Sequence, residues 1–253
     1  MRLLHNTVSF DGEIIELIQE RFDETKVVYK FISLIHFAAR IRGLLSFIRL
    51  TESIIALILY LPIPIISSLI LRFINRLSGP LGFYLRSLYF RQKAHYIGSN
   101  VLIGQNVLVS NLSKLSLDDF SYLDRDVSIM CKASVGKRCH IAFGCFISGG
   151  GKLILEDYAS LGMRSVVLTS SDSPVKGYRG SGPMAPISER RVISGKTIFR
   201  KDAFTGPLTL VFPGAEMKAG SVLAGGSVLR RNTKEWGVYV GNPAKRISWR
   251  DKI

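Results

Sequence analysis

Cysteine and histidine are scarce in this 253-residue chain, and so is negative charge. The three cysteines, Cys131, Cys139 and Cys145, form no CxxC pair and are odd in number. That pattern excludes a disulfide framework and a thiolate zinc site, and it fits a reducing compartment. The four histidines, His5, His36, His95 and His140, are scattered, so no imidazole cluster is there to hold a metal. No metal is expected. Against 19 Asp and Glu stand 34 Lys and Arg, a formal charge of +15. Such an excess asks for an anionic partner. No nucleic-acid motif is present and the basic residues are spread along the chain, so nucleic acid is not expected. Acidic lipid and phosphorylated ligands remain. Met1 to Phe10 lacks the apolar stretch of a signal peptide, and a cytoplasmic location is expected.

Apolar residues, by contrast, make up 47% of the chain, and they are unevenly placed. From Glu13 to about Phe90 they recur at helical spacing, as in Ile14, Leu17, Ile18 and then Val27, Val28, Phe31, Ile32, Ile35. Residues 1–94 are therefore read as a helical N-terminal region. Within it, Ser53 to Leu71 is a run of nineteen residues without a charge. That length can span a bilayer, but Pro62 and Pro64 interrupt its centre. Arginines flank it on both sides: Arg40, Arg42 and Arg49 before, Arg72, Arg76, Arg86 and Arg91 after. A spanning helix concentrates Lys and Arg on one side. The expectation is a membrane surface as partner, met by a re-entrant or interfacial segment. The competing reading is a helical hairpin packed on protein.

From Ile97 the period changes to six. Ile97, Ile103 and Val109 begin the series, which continues after a slip as Leu117, Leu123, Ile129, Val135, Ile141 and Ile147. After a second slip come Leu155, Leu161 and Val167. An insertion over residues 171–192 intervenes, and the series is expected to resume at Ile193, Phe199, Thr205, Val211, Met217, Leu223 and Leu229. Four residues after almost every bulky position lies a small one, from Val101 and Ser121 through Ala159 to Thr233. Two coupled inward series of period six predict a triangular parallel β-helix, each hexapeptide a short strand plus a corner. Gly98, Gly104, Gly136, Gly162 and Gly206 follow bulky residues, where a Cβ is costly. Cys139 and Cys145 fall in the small slot and read as core filler rather than nucleophiles. The β-helix domain is assigned to residues 95–253, with a tail over 235–253.

These residues resemble the bacterial hexapeptide-repeat acyltransferases. The run TGPLTLVFPGAEMKAGSVLAGGSVL and the ending GVYVGNPAKRI (Gly237 to Ile247) are similar to that family's closing coils and exit loop. HIAFGCFISGGGK (His140 to Lys152) and LTSSD (Leu168 to Asp172) resemble the branch that decorates surface polysaccharides. GPLGFYLRSLYFRQK (Gly79 to Lys93) is similar to the lead-in of O-antigen and capsule acetyltransferases. The resemblance implies a left-handed β-helix, a homotrimer with active sites between neighbouring prisms, and acetyl-CoA as donor. It places the pantetheine arm along the C-terminal coils, near the amides of Gly206, Ala224 and Gly225. It brings basic groups such as Lys201, Arg230, Arg231, Lys245 and Arg246 to the phosphates, which Arg and Lys bind by charge-assisted bonds.

Acetyl transfer from a thioester to a sugar hydroxyl or amine needs a general base and donors to the oxyanion. Histidine suits the first role because imidazole titrates near neutrality. In many relatives a histidine follows a Thr/Ser pair before the long loop, but this chain has Asp172 there. His140 is the histidine inside the repeat, one residue before inward-facing Ile141, so it faces outward. His140 is the candidate base, and Asp172 is a candidate to orient it or bind the acceptor. The competing assignments are a surface histidine and a loop-opening carboxylate that caps backbone amides. The acceptor expected is a sugar, nucleotide-linked or carried on a lipid, in surface-polysaccharide synthesis at the inner membrane face. Alternatives are a serine-type or xenobiotic acetyltransferase, or a β-helix scaffold without catalysis.

Overall fold

The computed structural model describes residues 64–253 apart from residue 174. The amphipathic pieces expected from Glu13, together with His5, His36, Pro62 and most of the uncharged run, lie outside the described residues. Helix α1 spans Pro64–Arg76 and helix α2 spans Gly79–Lys93. Among the described residues no helix is long and apolar enough to cross a membrane.

From Tyr96 onward the chain winds into a three-walled prism of parallel strands, a mainly β solenoid. The first wall stacks Tyr96–Ile97, Leu115–Leu117, Lys132–Val135, Lys152–Leu155, Lys196–Phe199 and Glu216–Met217. The second stacks Leu102–Ile103, Tyr122–Leu123, His140–Ile141, Ser160–Leu161, Phe204–Thr205 and Val222–Leu223, closed by the antiparallel pair Gly237–Gly241 and Ala244–Trp249. The third stacks Leu108–Val109, Ser128–Ile129, Phe146–Ser148, Val166–Leu168, Leu210–Val211 and Val228–Leu229. Both inward series are in the core: Ile103, Leu123, Ile141, Ile147, Phe199, Met217 and Leu223 are fully buried, as are the small residues Ala159, Ser165, Ala203 and Ser221. Each bulky side chain contributes about 1.5–3 kcal/mol by burial, so the repeat drives the fold. The exceptional Thr205 is explained locally. Its buried Oγ1 accepts the Gly162 amide at 3.0 Å.

The corner glycines are required by crowding between coils. A Cβ on Gly162 would lie 2.4 Å from the carbonyl carbon of Gly206, and one on Gly206 would lie 2.5 Å from the Gly225 nitrogen. The left-handed conformation sits elsewhere, three residues after the bulky position. It is adopted there by Asn100, Asn106, Phe120, Asp126, Arg138, Tyr158, Arg164, Asp202 and Leu208. An L-residue pays roughly 1–2 kcal/mol for it. The amides of these corners are recovered by the coil beneath, as in Phe120 N–H to the Ser99 carbonyl and Arg164 N–H to the Phe143 carbonyl.

All the irregularities fall on one edge. The two slips, at Leu112–Lys114 and Gly149–Gly151, and the long insertion all leave the third wall and re-enter the first. The expected resumption at Ile193 is incorrect. Ser170–Asp172 and Val192–Ser194 form an antiparallel hairpin outside the prism, pairing Ser171 with Ile193, whose side chain is exposed. The coil restarts at Lys196, where Lys196–Phe199 lies in register on Lys152–Leu155. A short apolar stretch cannot by itself separate a hairpin arm from a coil wall, although here the arm 192–194 is exposed throughout.

Helix α2 closes the other end. The first coil has carbonyls with no coil beneath, and polar side chains of the helix meet them. Arg86 Nε donates to the Ile103 carbonyl at 2.7 Å, Ser87 Oγ to Val101 at 2.9 Å and Arg91 to Gly98 at 2.7 Å. Arg86 also holds α1, donating to the carbonyls of Ile74 and Leu77. Burial pulls its pKa down to about 10, yet the three carbonyls keep a fully buried cation solvated.

Candidate active site

His140 projects from the second wall, as its register demands: Ile141 beside it is fully buried, while the imidazole remains about one-third exposed. One coil below, Tyr122 stacks on it nearly parallel, with ring centroids 5.1 Å apart and planes inclined by 5°. Two residues further, at the corner, Asp124 turns back towards the pair. Its Oδ1 accepts the Tyr122 hydroxyl at 2.8 Å and the Arg125 amide at 2.7 Å. Its Oδ2 lies 3.8 Å from His140 Nε2. That separation is an ion-pair distance rather than a hydrogen bond, and Nε2 has no hydrogen-bond partner among the described residues. Burial alone would raise the Asp124 pKa. Interaction with the imidazole, the Arg125 amide and the Tyr122 hydroxyl outweighs it and holds the carboxyl down to about 2. The result is a fixed anion beside an imidazole clamped on a tyrosine face, with the buried Nε2 turned towards Asp124 and the ring partly exposed. Sequence reading missed Tyr122 and Asp124. The signal was available, because three hexapeptides make a coil and Tyr122 stands one coil before His140.

Asp172 lies elsewhere. It is in the hairpin on the third-to-first edge, across the prism from the second wall, and Arg190 Nη2 binds its Oδ1 at 2.9 Å. Within one chain the structure does not bring Asp172 and His140 together. The carboxylate ties the two ends of the insertion, whose tip exposes Val175, Met184 and Ile187. Arg179 and Glu189 form a second ion pair within it. His95 is exposed at the foot of the prism.

The residues assigned to the donor divide among the edges. Gly206, Ala224 and Gly225 stack on the second-to-third edge, where the Ala224 amide donates to the Tyr239 carbonyl. Lys245 and Arg246 belong to the closing strand of the second wall, opposite Val240 and Tyr239. Arg246 lies over the Trp249 ring at 3.9 Å. Lys201 is on the first-to-second edge. Arg230 and Arg231 are on the third-to-first edge, Arg230 over the Phe212 ring at 4.8 Å. The second wall and the edge after it thus hold His140, the glycine corner and the cationic closing strand. Cys139 and Cys145 are buried in the small slot, donating to the carbonyls of Glu156 and Gly162. Burial pushes their thiols to about 12 and about 11, so neither supplies a thiolate near neutrality. Among the described residues no group of His, Cys, Asp and Glu is arranged to hold a metal.

The parallel prism, its glycine corners and the outward histidine define a class, and comparison with known proteins agrees. The chain belongs to the hexapeptide-repeat, left-handed β-helix acyltransferases, and it is an acyl-CoA-dependent enzyme of that family. It is 30% identical over 159 residues to the dTDP-4-amino-4,6-dideoxy-D-glucose acyltransferase of Escherichia coli, covering 59% of this chain and 82% of that one. Among solved structures it is similar to AntD, an N-acyltransferase from Bacillus cereus in complex with dTDP and 3-hydroxybutyryl-CoA. That match has a TM-score of 0.63 at 25% identity, over 67% of this chain and 90% of that chain. A maltose O-acetyltransferase from Clostridium difficile 630 shares the fold, with a TM-score of 0.52 at 17% identity over 73% of this chain and 84% of that chain. No family model matches.

Proposed function

We propose that the protein transfers an acetyl group, or a short acyl group of similar size, from acyl-CoA to an amine or hydroxyl of a nucleotide-linked deoxysugar. The product would serve bacterial surface-polysaccharide synthesis. The observation that carries the reading is the outward His140, stacked on Tyr122 beside the Asp124 carboxylate on an open wall of an acyltransferase fold. The His140 imidazole takes the proton of the acceptor as its nitrogen or oxygen attacks the thioester carbonyl. The tetrahedral adduct collapses, the C–S bond breaks, and the CoA thiolate leaves and is protonated. Asp124 orients the imidazole and stabilises the imidazolium that forms. Asp172 shapes the loop over the acceptor of a neighbouring prism. The donor runs along Gly206, Ala224 and Gly225, with Lys201, Arg230, Arg231, Lys245 or Arg246 at its phosphates. The nucleotide-linked acceptor is supported by the E. coli and B. cereus relatives.

The same reading includes a homotrimer that builds the site between prisms, and peripheral or re-entrant attachment to the inner membrane. Exposed Leu69 and Phe73 beside Arg72 and Arg76 on α1 support the second point. Light scattering in mild detergent should give three chains per particle, and flotation should carry the full chain with anionic vesicles. A monomer, or a chain left at the bottom, contradicts the respective part.

The function itself is tested by following thiol release from acetyl-CoA. The acceptors are dTDP-4-amino sugars, nucleotide-sugars bearing only hydroxyls, and lipid-linked glycans. Turnover is expected with a dTDP-amino sugar. CoA binding without turnover on any acceptor would replace the enzyme reading with a scaffold.

A further inference from the structure

The edge between the second and third walls carries an arrangement that the chemistry above leaves unused. Phe143, three residues after His140, lies between two guanidinium groups from the coils below and above. The Arg125 guanidinium carbon sits 4.8 Å from the ring centroid and that of Arg164 sits 5.4 Å away. Both arginines are exposed, and among the described residues neither guanidinium meets a carboxylate or a hydrogen-bond acceptor. Asp124 and Asp126 share the edge but are turned elsewhere. Asp124 receives the Tyr122 hydroxyl and its carboxylate faces His140, while Asp126 Oδ1 accepts Asn106 Nδ2 at 3.1 Å. The corner residue beneath Arg164 is Gly144, in the left-handed conformation, where a Cβ would lie 3.3 Å from Arg164 Cγ.

Like charges collected on one ring and left without counter-ions repel each other, and the aromatic face offsets this only in part at an exposed site. A dianionic ligand reverses the sign of that repulsion. Each planar guanidinium offers a fork that matches a phosphate. The stack also borders the wall on which His140 faces out, since Arg125 directly follows Asp124.

We propose that Arg125 and Arg164, spaced by Phe143, bind the diphosphate of the acceptor and so set its sugar against His140. The proposal rests on the acyl-transfer reading above, and it names the part of the site that selects diphosphate-linked sugars. Three molecules could bring a diphosphate: a nucleotide-sugar, a polyprenyl-linked sugar and CoA itself.

The test is calorimetric binding to the full chain, which needs no turnover. The probes are dTDP, farnesyl diphosphate and CoA, against the wild type, Arg125→Gln, Arg164→Gln and the double variant. Each single change should raise the dissociation constant for dTDP about tenfold, the scale of one lost charge-assisted bond. The double variant should raise it about a hundredfold. CoA should change by less than about twofold. Arg125→Lys should fall between, because the charge remains and the fork is lost. A larger loss for farnesyl diphosphate than for dTDP would support the same clamp with a lipid-linked source. Unchanged dTDP and farnesyl diphosphate binding, or a loss confined to CoA, would overturn the proposal. A wild type that binds dTDP tightly yet releases no thiol would sink the enzyme reading and leave this one standing. Melting temperatures within a few degrees of wild type verify that these exposed substitutions leave the prism folded.

Discussion

Two edges of the prism share one backbone and differ in chemistry. The edge from the first wall to the second is charge-compensated. Asp119 meets Lys137 at 3.3 Å, and Arg200 bridges Glu156 at 2.6 Å and Glu216 at 2.5 Å, with Lys218 on the same Glu216 at 2.8 Å. The edge from the second wall to the third sets guanidinium groups on a phenylalanine and stacks glycines above them. Both edges use left-handed corners at the same register, so the backbone does not explain the difference. The paired edge answers several of its charges with ion pairs, although it too sets a guanidinium on a ring, Arg138 over Phe120 at 4.5 Å. Among the described residues, the other leaves Arg125 and Arg164 without counter-ions beside the wall that carries His140, which is the basis of the proposed diphosphate clamp.

The largest effect expected from disturbing this contrast is on folding. Gly162→Val places a branched side chain where even a Cβ would lie 2.4 Å from the backbone of the next coil. The stack must part or the chain must fail to fold, with a loss of at least several kcal/mol. Gly226→Ala on the same edge meets open space but has φ near +68°, so only the conformational cost of roughly 1–2 kcal/mol applies. Denaturant melts of the two variants check the order, and equal melts would show that crowding does not set the corner. Next in size is Asp124→Asn. The Asp124 pKa is depressed in the fold, so its contribution is fully present above the ordinary carboxylate range. It is lost as pH falls from about 4 towards about 2. Wild type should lose roughly 2 kcal/mol across that window beyond what the variant loses, as read by urea melts at pH 5 and pH 2.5. On the paired edge, Lys137→Gln should leave the urea melt almost unchanged at either pH, since exposed ion pairs contribute little.

Much of the prism was legible because period six governs the bulky and small positions of the coils between Ile97 and Leu229, outside the two slips and the insertion. The legible part ended where position stopped constraining residue type. The left-handed corners hold Gly, Asn and Asp but also Phe, Arg, Tyr and Leu, so composition marks only some of them. Ile193 matched the apolar rule while sitting in a hairpin, because a short apolar pair such as Val192-Ile193 fits either structure. Asp172 stood at the family's histidine position, but its partner Arg190 is eighteen residues away across the insertion. His140 was legible from register alone. Its companions Tyr122 and Asp124 required stacking one coil on the next, which the sequence permits once the coil length is known.

The central claim is that His140 on the second wall is the general base, and its most direct test is the rate of thiol release by His140→Ala. At saturating acetyl-CoA and acceptor, kcat should fall by about two to four orders of magnitude. CoA affinity and assembly should stay as in wild type, because the imidazole faces outward. A variant that turns over at the wild-type rate would contradict the account and move the proton to another group or to the acceptor itself.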